Sequence, residues 1–174
     1  MRSWLIIATL VVAGCEDKIK PSVLSSVTSK DLPQQESWNS QIVLSDSGKV
    51  RAVIDAGYLR VFEANKRTLL SEGVRVRFYN RDGSAGSVLT SNEGAVDEGT
   101  NDLEARGNVI VTSTDRTILY SEELYWDEMR QLIHTPVFVR IVSPKERLQG
   151  VGMESDQQLR NYRIFRVTGE TTPE

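Results

Sequence analysis

From Trp38 to about residue 170 the chain alternates apolar and polar residues with a period of two, and no other feature restricts its fold so strongly. Side chains of an extended strand point to opposite faces in turn, whereas a helix repeats every 3.6 residues, so this alternation calls for strands with one buried face. Val74, Val76 and Phe78 alternate with Arg75, Arg77 and Tyr79, and Ile42 and Leu44 alternate with Gln41, Val43 and Ser45. Val109 and Val111 alternate with Asn108, Ile110 and Thr112; Leu124 and Trp126 with Glu123, Tyr125 and Asp127; Val137, Val139 and Ile141 with Phe138, Arg140 and Val142. Between these runs lie Asp46-Ser47-Gly48, Asn80-Arg81-Asp82-Gly83, Asn92-Glu93-Gly94, Arg106-Gly107-Asn108 and Glu128-Met129-Arg130. Glycine, asparagine and aspartate accept the positive φ of hairpin turns, so each is expected to reverse the chain. Many short strands with regular turns indicate an all-β sandwich, roll or barrel. Arg60 to Leu70 has some helical propensity and is expected to be strand and loop. Strand-turn-strand units starting near Ala52, Ala85, Leu119 and Leu148 form a loose repeat, and a stack of V-shaped hairpins of this kind would bury one continuous face.

Composition removes most chemistry. A chain of 174 residues is the size of one domain, and its single cysteine and single histidine supply neither a disulfide nor a four-ligand zinc site. The formal charge of −3 comes with no basic block, which argues against nucleic acid as a partner. There is no phosphate-binding glycine loop and no nucleophile elbow. Glu122 with Glu123, and Asp127 with Glu128, are neighbours on strands, so their carboxylates should diverge to opposite faces and not converge on one bond. His134, beside Thr135-Pro136, reads as a loop residue without catalytic partners. No catalytic residue, metal or cofactor is expected, and the chain reads as a non-enzyme.

The first residues have a different logic. Met1-Arg2 precedes an apolar run from Trp4 to Val12. That run is about half of the roughly 20 residues a membrane-spanning helix needs, and within the roughly 7–15 of a secretory core. It closes on Val12-Ala13-Gly14-Cys15, which resembles the lipobox of bacterial lipoproteins. The resemblance implies cleavage after Gly14 and acylation of Cys15, anchoring the chain to a membrane through acyl chains. The competing reading is an N-terminal helix with a buried free cysteine. The expected division is a lipoprotein signal peptide over 1–14, a polar tether over 15–37, a β domain over 38–170 and a tail over 171–174.

Three segments carry a family likeness. Glu104-Ala105-Arg106-Gly107-Asn108-Val109-Ile110-Val111 resembles a strand-turn-strand element of the OstA-like β-jellyroll family, and Leu119 through Asp127 resembles its next element. Leu148-Gln149-Gly150-Val151-Gly152-Met153-Glu154-Ser155-Asp156, followed by Leu159-Arg160-Asn161-Tyr162, is similar to the pattern of LptC-type proteins. Trp38 and Ser45-Asp46-Ser47-Gly48 match the usual opening, so the likeness spans roughly residues 38–170. It implies a twisted, partly open β-jellyroll that takes lipopolysaccharide from an inner-membrane ABC transporter of the LptB/F/G type. The cargo then passes to an LptA-type periplasmic bridge protein. The implied location is the periplasmic face of the inner membrane, with the outer membrane open because the lipobox replaces the family's usual transmembrane helix.

Val74, Val76, Phe78, Val109, Val111, Leu124, Trp126, Val137, Val139 and Ile141 are the expected lipid-binding interior. Tyr162, Ile164 and Arg166 are the expected partner edge. Gly150 and Gly152, alternating on one strand, either admit a bulky neighbour or mark a bulge. The same apolar residues also suit a closed sandwich core, which would make the chain a structural or adhesive envelope lipoprotein. Arg75, Arg77, Arg140, Arg160, Arg163 and Arg166 suit lipid phosphates and internal salt bridges equally.

Overall fold

A computed structural model describes residues 32–171. Cys15, the expected signal peptide and most of the expected tether lie outside the described residues. Ten strands follow in order: β1 (Gln35–Asp46), β2 (Lys49–Phe62), β3 (Arg67–Tyr79), β4 (Ala85–Ser91), β5 (Glu93–Asp97), β6 (Leu103–Thr112), β7 (Ile118–Asp127), β8 (Leu132–Val142), β9 (Arg147–Ser155) and β10 (Tyr162–Thr171). The Arg60–Leu70 stretch is strand, one 3-10 turn at Glu63–Asn65, and strand again. The first strand starts at Gln35, three residues before the expected domain boundary.

All ten strands form one antiparallel meander in which each pairs with its sequence neighbours, β4 and β5 sharing one position between β3 and β6. The four expected units are the hairpins β2–β3, β4/β5–β6, β7–β8 and β9–β10. β1 and β10 are the two edges, and the sheet is not closed between them.

A seam of irregularities crosses β1–β3 and β6–β9 and gives each of these strands two arms, with β4 and β5 lying on either side of it. Along it lie Asn39 (φ 50°) in β1, Gly57 in β2, Glu72 and Gly73 (φ 59° and 86°) in β3, Gly107 and Asn108 (φ 72° and 50°) in β6, and Gly152 (φ 76°) in β9. The pairing register slips by one residue at the seam between β2 and β3, β6 and β7, β7 and β8, and β8 and β9. An extra residue on one strand bends it and sharpens its twist. Hydrogen bonds from Gly73 N to Asn92 O (3.2 Å) and Asn92 N to Gly107 O (2.9 Å) continue across the bend.

Four sequence expectations are corrected here. Arg106-Gly107-Asn108 and Asn92-Glu93-Gly94 are kinks of this seam and not hairpin turns, because strand pairing resumes in the same direction beyond them. Alternation also slips in β7, where Ser121 and Leu124 are both buried with Glu122 and Glu123 between them. His134 is likewise in β8 and not in a loop; Pro136 sits at the β8 bulge, where its missing N–H is tolerated. Gly150 and Gly152 do not share a face: Gly152 marks the bulge, while a Cβ on Gly150 would meet Arg166 O across the pair.

Candidate functional site

The bent strands put two apolar walls face to face. One wall carries Ile54, Val76, Val111, Leu119, Val139 and Ile141; the other carries Leu70, Val96, Ala105, Leu124, Trp126 and Ile133; all belong to one buried cluster. Phe78 on the first wall meets Trp126 on the second, ring centroids 6.1 Å apart and tilted by 45°. Such a tilted pair suits the aromatic quadrupoles.

Nine of the ten expected interior residues are buried in this cluster, Val111, Val139 and Ile141 completely. Val137 is half-buried, because it falls on the β8 bulge where the wall turns. Between the walls a void of only about 20 Å³ remains, lined by both, room for about one water molecule. The space between the walls is thus an apolar slot filled by the protein's own side chains.

The slot reaches solvent where the strand ends of the two walls approach each other. A cavity of about 370 Å³ opens there, with Leu44, Ala52, Phe78, Leu103 and Trp126 on its apolar side and Arg51, Glu128 and Gln157 on its polar rim. Trp126 Nε1 donates to Glu128 Oε2 at 2.8 Å, which fixes the indole at this mouth. Leu44 and Leu103 were not expected as site residues: Leu44 lies in an alternating run at the start of the sheet and Leu103 in none, and only the meeting of distant strand ends places them together.

The loop 156–161, between β9 and β10, lies across the open side. Ser87 Oγ donates to Gln157 O (2.8 Å), and Gln158 Nε2 donates to Asn80 Oδ1 (2.7 Å), tying it to β4 and to the β3–β4 turn. On its far side a shallow polar cavity of about 840 Å³ is lined by Asp115, Lys145, Glu146, Arg160 and Tyr162 among others. Burial, and then a hydrogen bond donated to Glu146, push the Tyr162 phenol well above its usual range. The hydroxyl of Ser113, and then the N–H of Thr117, hold the Asp115 carboxyl below its usual range. Burial leads the first shift and fixed hydrogen bonds lead the second.

The paired acids do not converge. Glu122 accepts from Asn108 N at 3.3 Å and so braces the β6 kink, and Asp127 accepts from Arg130 N at 2.8 Å in the β7–β8 turn. His134 stacks on Tyr125, centroids 5.4 Å apart, on the outer face. Arg77 pairs with Asp55 (2.8 Å), while Arg140 and Arg163 lie over the rings of Tyr120 (4.6 Å) and Phe165 (5.5 Å). No group of acids and histidine able to hold a metal occurs among the described residues.

The expected partner edge is an edge: β10 pairs only with β9 among the described strands. Along it Tyr162 and Ile164 pack against the core, while Arg166, Phe165 and Val167 are exposed. No helix among the described residues is long and apolar enough to cross a membrane.

A family model described as lipopolysaccharide-assembly, LptC-related, matches residues 9–170. No curated protein matches the chain.

Proposed function

Since the chain belongs to the LptC-related lipopolysaccharide-assembly family, whose members are transport components and not enzymes, we propose that it is a lipid-anchored carrier. In this reading it accepts lipopolysaccharide on the periplasmic face of the inner membrane, from an LptB/F/G-type ABC transporter, and passes it to an LptA-type bridge protein. The outer membrane is the alternative site of anchoring. Cys15 supplies the anchor. The slot between the two walls takes acyl chains, the mouth at Leu103 and Trp126 admits them, and Tyr162, Ile164 and Arg166 on β10 present an unpaired backbone to the next protein.

One observation supports this reading above the rest: a single apolar interior meets a mouth where Leu44, Phe78, Leu103 and Trp126 stand beside polar groups such as Arg51, Glu128 and Gln157, in a sheet that ends in two unpaired edges. Such a geometry shelters fatty tails and leaves a sugar head in water. The small void favours a second reading, a structural envelope module with a solid core.

Photocrosslinking separates the two. A photoreactive residue at Leu103 (mouth) or Val111 (interior) is expected to capture lipopolysaccharide, and one at Arg75 on the outer face is not. Equal capture from all three positions, or none from any, leaves the structural reading.

A further inference from the structure

The carrier reading needs space that the closed slot does not have, and the loop across its mouth holds the one apolar side chain whose removal needs no strand to unpair. Leu159 is 1% exposed. Among the described core residues it alone comes from outside a strand. We propose that the place Leu159 occupies is an acyl-chain subsite, filled by the protein's own side chain at rest, and that the 156–161 loop is the strap that vacates it. This rests on the carrier reading and says which part of the interior is exchangeable.

Three observations converge on this loop. Its internal bonding is self-sufficient: Asp156 Oδ1 accepts from Arg160 N (2.9 Å), Asp156 Oδ2 from Asn161 N (3.2 Å) and Asn161 Nδ2 (2.7 Å), and Asp156 O from Leu159 N (3.1 Å). Its polar ties to the far strands are few, from Ser87 to Gln157 and from Gln158 to Asn80. A unit bonded more to itself than to its surroundings can lift without unfolding.

The seated position is also held against cost. Leu159 has φ 56°, a left-handed conformation that a branched side chain seldom adopts. At the loop's root, Ser155 Oγ is buried with no hydrogen-bond partner. Burial of the Leu159 side chain offsets both. An acyl chain offers the same apolar contacts without requiring the backbone strain, so the strap and the lipid compete for one volume.

The test uses Asn80→Cys/Gln158→Cys in the full chain, bridged by a reducible bis-thiosulfonate, with photoreactive residues at Leu103 and Val111 and purified lipopolysaccharide as the probe. Bridging is expected to cut capture at Val111 at least tenfold, leave capture at Leu103 in place, and reverse on reduction. In the unbridged chain Leu159→Asn, which tolerates left-handed backbone but gives up the apolar seat, is expected to raise capture at Val111 severalfold. Equal capture at Val111 with and without the bridge, or no gain from Leu159→Asn in a chain that unfolds cooperatively, overturns the strap and leaves the carrier reading standing. Capture at neither position in the reduced chain removes the carrier reading and the strap with it.

Discussion

Gly57 tests whether the seam is a requirement of the fold. A Cβ at this position would lie 2.5 Å from Glu72 O and 2.8 Å from Glu72 Cβ, against 3.4–4 Å for an ordinary contact. The Glu72 oxygen belongs to backbone already held at φ 59° and tied into the seam, so it has little freedom to retreat. Overpacking of this kind costs about 1–3 kcal/mol, and a rigid neighbour puts Gly57→Ala at the upper end. The stiffer unfolded chain of the alanine variant returns about 0.4–1 kcal/mol. The net loss is about 2 kcal/mol, which for a domain of this size lowers Tm by about 4–8 °C.

Gly48→Ala is the matched control. Its φ is 77° with nothing within 4 Å of the added carbon, so it loses only about 1 kcal/mol to left-handed strain. Thermal unfolding followed by far-ultraviolet circular dichroism, with urea titrations to confirm an unchanged m-value, reads both variants. A Gly57→Ala protein that melts within a degree of the parent, or above the Gly48→Ala protein, refutes the claim that two strands must touch backbone to backbone at the bend.

Two further outcomes follow from single hydrogen bonds. Trp126→Phe keeps a ring against Phe78 but loses the bond to the Glu128 carboxylate, so it is expected to cost about 1–2 kcal/mol in urea, with Glu128→Gln losing less because an acceptor remains. Tyr162 has its folded pKa raised above the unfolded value of about 10, so its bond to Glu146 stabilises fully below pH 10 and is lost as pH rises through the folded pKa. The stability gap between the parent and Tyr162→Phe should be constant at neutral pH and shrink above pH 10; a gap that widens there contradicts the assignment.

The strands were legible because alternation such as Val74-Arg75-Val76-Arg77-Phe78 has one physical meaning, a half-buried ribbon. The seam was not, because Gly107-Asn108 has the same positive-φ chemistry whether the chain reverses or merely bends, and only the register of the neighbouring strand decides. The same slip explains Val137, which follows the alternation of β8 into a bulge, and His134, whose neighbouring proline suggested a loop. Periodicity names the face that is covered but not the distance to the opposite wall, so a filled slot and an open trough look alike in sequence. Leu159 was the hardest to assign a role, since a lone leucine between Gln157-Gln158 and Arg160-Asn161 has no periodic partner; its isolation in a polar loop was the only sign.

The meander order has a kinetic consequence. Because each strand joins the one just before it, except that β5 joins β3 beside β4, registering a new ribbon closes only a short loop, and no strand has to be inserted between two already joined. Assembly can therefore run along the polypeptide like a zip from either direction. The bonds from Gln158 to Asn80 and from Ser87 to Gln157 are different, spanning 78 and 70 residues, and they form only after the intervening hairpins have docked. Seating the final loop therefore waits on the hairpins between its two ends.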